Sequence, residues 1–201
     1  MITFNRNTLL LYCTLAFGFV LFQALALYSF GQPFFCECGV IKLWEGVVFS
    51  VGNSQQLSDW YTFSHIIHGV LFYGLFSLLF PRSSLGIRLL LAMALEIGWE
   101  IAENTPLVID AYRQQALAVG YNGDSIFNSL SDTLSMTAGF FLAYRIPLIL
   151  SIICILTLEL FAGYFIHDNL TLNISGMRYA RKKPAVIERV SDNELKILSP
   201  L

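Results

Sequence analysis

Residues 60–80 read WYTFSHIIHGVLFYGLFSLLF and residues 88–107 read RLLLAMALEIGWEIAENTPL. Each is close to the ~20 residues that an apolar helix needs to cross a bilayer. Neither is apolar throughout. His65 and His68 stand three apart in the first, and Glu96, Glu100 and Glu103 stand at i, i+4 and i+7 in the second. At 3.6 residues per turn each set forms one stripe along a helix. An ionised carboxylate at mid-membrane costs ~2.5–3.5 kcal/mol on insertion scales. The stripes therefore predict a membrane bundle that turns its titratable groups inward onto a polar site.

The rest of the chain fits that frame. Hydrophobic residues make up 56% and charged residues 13%, against roughly 25% charged in soluble domains. Three more apolar segments, Thr8–Phe30, Ser125–Tyr144 and Ile146–Ile166, join Trp60–Phe80 and Arg88–Leu107. The expected fold class is all-α, an integral membrane bundle of about five transmembrane helices, with a long outer loop, Gly31–Asp59, between helices 1 and 2. Residues 1–175 are expected to form a single transmembrane helical domain, and residues 176–201 a polar, flexible tail. The first segment is longer than the 7–15 residues of a signal-peptide core, so it is expected to remain as a helix. A net charge of −2 gives no basis for nucleic-acid binding.

The short loops set the orientation. With the amino terminus inside, Arg6, Arg82, Arg88 and Arg145 fall on the inner side, against Lys42 and Arg113 outside. At ~1.5 Å per residue, His68, Glu100 and Asp132 then lie roughly 10–12 Å below the outer surface. Ser125, Asn128, Ser129 and Asp132 share one face of the fourth segment. Three polar stripes at one depth are the pattern of an internal site. Asp124, after Gly123, is expected to cap the fourth helix. Cys36 and Cys38 stand too close in sequence for an unstrained disulfide with each other, and Cys13 and Cys154 read as small hydrophobes.

Something must neutralise the buried acids. The options are a divalent cation, protonation with hydrogen bonding, or a salt bridge to Arg113. The interiors of the spans contain no Lys or Arg, which favours metal or proton.

Several stretches resemble a family of uncharacterised bacterial inner-membrane proteins of unknown function, common in alphaproteobacteria. They include Cys36-Glu37-Cys38-Gly39, Asp59-Trp60-Tyr61-Thr62-Phe63-Ser64-His65-Ile66-Ile67-His68-Gly69, Trp99-Glu100-Ile101-Ala102-Glu103-Asn104-Thr105-Pro106, and Tyr121-Asn122-Gly123-Asp124-Ser125 with Asn128, Ser129 and Asp132. The resemblance covers roughly residues 30–175. It implies a multi-pass protein of the bacterial inner membrane and supports five helices, but supplies no reaction.

The leading functional expectation is a metal-dependent hydrolase or transferase acting on a lipid or lipid-linked substrate at the outer leaflet. His65, His68 and Asp132 would hold zinc, iron or manganese. Glu100 or Glu103 would serve as catalytic base or further ligand, and Asn104, Arg113, Ser125 and Asn128 would bind the substrate's head group. Membrane lipids are the expected partners, with a homo-oligomer left open. A proton, ion or small-solute carrier and a non-enzymatic assembly or sensing subunit are the alternatives.

Overall fold

The computed structural model describes residues 6–48, 50, 52–113 and 121–180, the last five by backbone alone. Seven helices account for the described residues: α1 (Arg6–Ser29), α2 (Thr62–Leu79), α3 (Leu85–Glu103), α4 (Pro106–Arg113), α5 (Ile126–Arg145), α6 (Leu148–Ile166) and α7 (Leu170–Ala180). There is no named strand among them; Glu45 and Asp59 make one isolated bridge within the long loop. Three helices, α1, α2 and α6, are long and apolar enough to cross a membrane. α3 and α5 match them in length, but the first carries Arg88, Glu96, Glu100 and Glu103, and the second a Ser, Asn, Thr and Asp stripe. The outward faces of α1 and α6 are covered by exposed apolar side chains such as Phe17, Leu148 and Leu160, a surface suited to acyl chains rather than water.

α2 and α5 are the central pair, α1 packs on α3 and α5, and α6 packs on α2. Two glycines permit the central contact. A Cβ on Gly69 would strike the Met136 carbonyl, and one on Gly139 would strike the Ile66 carbonyl. Backbones can approach this closely only where side chains are missing. Below the crossing, Phe76, Ala92, Met93, Ile97, Met136 and Phe140 form the apolar core.

The sequence reading is corrected at several points. α3 ends at Glu103, and Pro106 opens a separate α4, because proline suits a first helical position where its missing N–H is not needed. The polar stretch after His167 forms α7, which was also not expected. Glu159, from inside α6, accepts hydrogen bonds from Leu170 N (3.1 Å) and Thr171 Oγ1 (2.7 Å) and so caps it. The tail residues 181–201, and the side chains of 176–180, lie outside the described residues.

The long loop folds down onto the start of α5. Ser125 N donates to Ser54 O at 2.9 Å, Ile126 N to Pro33 O at 2.9 Å and Phe127 N to Phe34 O at 3.2 Å. Loop carbonyls thus satisfy backbone amides that the helix leaves without partners. Ser125, not Asp124, is the N-cap: its side chain accepts from Asn128 N. Cys36 and Cys38 form a disulfide, with Cα atoms 5.1 Å apart. Spacing alone argued against it, but Gly39 N donates to Cys36 O, closing a turn that folds the two cysteines together.

Candidate functional site

One face of α2 carries both histidines toward α3. His65 Nδ1 lies 2.6 Å from Glu96 Oε1 and 3.2 Å from Glu100 Oε1, while its Nε2 lies 3.9 Å from Asp132 Oδ2 on α5. His68 Nδ1 lies 3.0 Å from Glu96 Oε2. Glu96 therefore bridges the two rings, and His65 stands among three carboxylates. Glu96 is 0% exposed, Glu100 1% and His65 7%. His68 is held from its other side by stacking on Phe72.

A chain of hydrogen bonds fixes this group. Ser129 Oγ donates to Glu100 Oε2 at 2.6 Å, Gln23 Nε2 donates to Ser129 Oγ at 2.7 Å, and Thr133 Oγ1 donates to Gln23 Oε1 at 2.9 Å. The other oxygen of Glu100, Oε1, is buried with no hydrogen-bond partner. On the opposite side, Thr62 Oγ1 donates to Asp132 Oδ1 at 3.0 Å and accepts from Asp59 N at 3.1 Å. Gln23 was missed by sequence reasoning. Its signal was an amide in the middle of an apolar helix, where it needs buried partners.

Asp132 and His65 open onto a cavity of about 800 Å³ at the end of the bundle covered by the long loop. Asp59, Glu103, Asn104 and Asp124 also line it, together with apolar Phe30, Pro33 and Ile109. Asn104 and Asp124 form a reciprocal pair: Asn104 Nδ2 donates to Asp124 Oδ2 and Asp124 N donates to Asn104 Oδ1, each at 2.7 Å. Tyr121 donates to Asp124 Oδ1 at 2.9 Å, and the Tyr112 hydroxyl bonds Glu103. Burial pushes the Asp124 carboxyl up to about 6, against the lowering effect of Asn104 and Tyr121. Burial likewise raises Asp59, although the amides of Ser54 and Tyr61 bond its charged form.

The residues singled out in the sequence thus separate into two layers. His65, Glu103, Asn104, Arg113, Asn128 and Asp132 line the cavity. Glu100 and His68, with Glu96, sit behind that wall. His65, His68 and Glu96 offer donor atoms all within 4.8 Å of one another, a group able to hold a metal ion. Asp132 reaches His65 on the other ring nitrogen. Arg113 binds Tyr121 O at 2.6 Å, Asn122 Oδ1 and Asp110, and so makes no ion pair with the glutamates. Ser125 is fully buried as the α5 cap, and Asn128 Nδ2 donates to Gln56 O at 2.8 Å.

Residues 27–179 match a family described as "Protein of unknown function (DUF2585)". A UPF0314 protein of Sinorhizobium fredii is 56% identical over 157 residues, covering 78% of this chain and 80% of the relative. A UPF0314 protein of Agrobacterium fabrum is 46% identical over 170 residues, covering 85% and 86%. One from Sphingopyxis alaskensis is 48% identical over 159 residues, covering 79% and 85%. No solved structure matches the chain.

Proposed function

The chain belongs to this family of proteins of unknown function, and we propose that it is a multi-pass protein of the bacterial inner membrane. In this reading α3 and α5 span alongside α1, α2 and α6, and the protein is a hydrolase or transferase acting on a lipid or lipid-linked substrate at the outer leaflet. The observation that carries the reading is the roughly 800 Å³ cavity whose wall brings together His65, Asp132 and Glu103 from three helices. Apolar side chains beside these groups suit a substrate that is part head group and part chain.

In this reading the labour is divided. His65 Nε2 and Asp132 stand together at the wall, with Thr62 holding Asp132. A water or hydroxyl entering there meets a base that takes its proton and an acid that can return one. Glu103 has a face on the cavity and takes the base role that sequence reasoning shared between it and Glu100. Glu100 works from behind, orienting His65. Arg113 at the rim, with Asn104 and Asn128, provides donors near the entrance. A divalent metal behind His65 would supply positive charge that balances the buried carboxylates and polarises the imidazole.

Lipid profiling of a deletion strain tests this reading. A lipid or lipid-linked species is expected to accumulate, to be cleared by the wild-type protein, and to persist with a Glu100→Gln variant that still inserts in the membrane. An unchanged profile, or full complementation by Glu100→Gln, would overturn it. The series Thr62, Asp132, His65, Glu96, His68, hydrogen-bonded except across the 3.9 Å between Asp132 and His65, favours a second reading as a proton path. Proton-coupled uptake in liposomes would establish that reading in place of the first.

A further inference from the structure

We propose that His65, His68, Glu96 and Glu100 form a closed site for a single divalent transition-metal ion, with Asp132 outside it as the outer partner of His65. This deepens the metal part of the reading above, yet it stands without any reaction. It also revises the expected ligand set: Asp132 moves out, Glu96 moves in, and Glu100 rather than Glu103 is the further ligand.

His65 Nδ1 lies 2.6 Å from Glu96 Oε1 and 3.2 Å from Glu100 Oε1. That nitrogen carries at most a single proton. The shorter contact takes it, and Glu100 Oε1 is left buried without a hydrogen-bond partner in a residue that is 1% exposed. A buried carboxylate oxygen without a donor or cation is costly. One divalent ion would serve both imidazoles and both carboxylates together.

The dimensions fit. Donors on a tetrahedral ion with bonds of ~2.0–2.1 Å sit about 3.3–3.4 Å apart. The contacts to the two Nδ1 atoms are 2.6, 3.0 and 3.2 Å, the first two from different oxygens of Glu96; His65, His68 and Glu96 offer donors within 4.8 Å of one another, and Glu100 Oε1 would join them by turning in from beside His65. Two imidazole nitrogens and two carboxylates suit zinc, iron(II) or manganese(II). The two negative charges balance the ion, which matters where no Lys or Arg is buried among the described residues. The surrounding bonds are those a metal site needs. Ser129, Gln23 and Thr133 fix Glu100 in series, and Asp132 faces the far nitrogen of His65, a carboxylate–histidine–metal arrangement.

Four protein donors leave no open position, so this ion ties α2 to α3 and polarises His65 from behind instead of binding substrate. The α2–α3 link would carry metal-dependent stability, and His65 would keep a proton on Nε2, toward the cavity.

The test uses the full chain, purified in detergent and stripped with chelator. Zinc, manganese(II) and, anaerobically, iron(II) are added separately and bound metal is counted by elemental analysis. One ion per chain and a raised melting temperature are expected for at least one of them. Cobalt(II) should give the visible bands of a tetrahedral nitrogen–oxygen site. Glu100→Gln and His68→Gln should weaken binding at least ~10-fold and alter those bands. Glu103→Gln, which removes a charge from the same helix outside the cage, should not. Glu100→Gln that binds like wild type would overturn the proposal, as would negligible binding of all three metals by a wild-type protein that melts cooperatively. A bound ion in a strain with an unchanged lipid profile would leave the cage standing and remove the enzyme reading alone.

Discussion

Asp124 offers a direct check on the electrostatics of the cavity. Its carboxyl is 6% exposed, and burial raises it from 3.8 to about 6. A carboxyl whose folded value exceeds its unfolded value holds its proton more tightly when folded. The folded state therefore binds more protons between pH 4 and 6, and stability falls as pH rises through that window. A shift of about two units corresponds to about 3 kcal/mol. At ~2–4 °C per kcal/mol for a chain of this size, that is roughly 6–12 °C of melting temperature. Asp124→Asn removes the titration with little change of shape. Its amide oxygen can accept from Asn104 Nδ2, and its amide can donate to the Tyr121 hydroxyl. Melting followed by tryptophan fluorescence in detergent, from pH 4 to 7, should show wild type losing those degrees relative to the variant. Asp168 is raised as well, but it is common to both proteins and cancels in the difference; Asp59 is also raised and repels Asp124, so part of the difference belongs to that pair. Two melting curves that stay parallel across the whole range would refute an environment in which burial outweighs the hydrogen bonds to Asp124.

Two further outcomes follow from packing and capping. Gly69→Ala and Gly139→Ala should each destabilise the protein by ~1–3 kcal/mol or more, because the added methyl meets backbone of the facing helix. Gly74→Ala, which meets nothing within 4 Å, should leave melting unchanged or raise it slightly. Ser125→Ala should cost about 1 kcal/mol by removing the acceptor for Asn128 N and the donor to Gln55 O; thermal melting reads both effects.

The helices were legible because apolar length and polar periodicity are properties of contiguous sequence. The stripes His65–His68 and Glu96–Glu103 could be read from spacing alone, and the structure does face them toward each other. What spacing left open was which atoms meet. Asp132 sits at the depth the sequence implied, yet it approaches the opposite nitrogen of His65, a matter of ring orientation that no count of residues contains. Glu96, one of three acids that the stripe does not distinguish, is the one that bridges both histidines. The long loop was legible as a loop. Its contacts with the start of α5 were not, because they run between backbone groups whose partners lie about 70 to 90 residues away.

Ser125 shows how the same limit bears on function. As a polar residue at the mouth of a polar helix, it reads from sequence as a contact for substrate. In the fold its hydroxyl accepts from Asn128 N and donates to Gln55 O, and its amide donates to Ser54 O. A fully buried hydroxyl that has given its one proton and already accepts a hydrogen bond has little left for a ligand. Glu100 is the reverse case. Its stripe gave no hint that one oxygen would be fully engaged by Ser129 while the other faced an imidazole already paired with Glu96. Sequence locates titratable groups, but it cannot tell a satisfied group from an unsatisfied one. The buried, unsatisfied oxygen is where an incoming cation would do the most, and so Glu100, more than either histidine, is the residue whose replacement should decide whether the cage holds an ion.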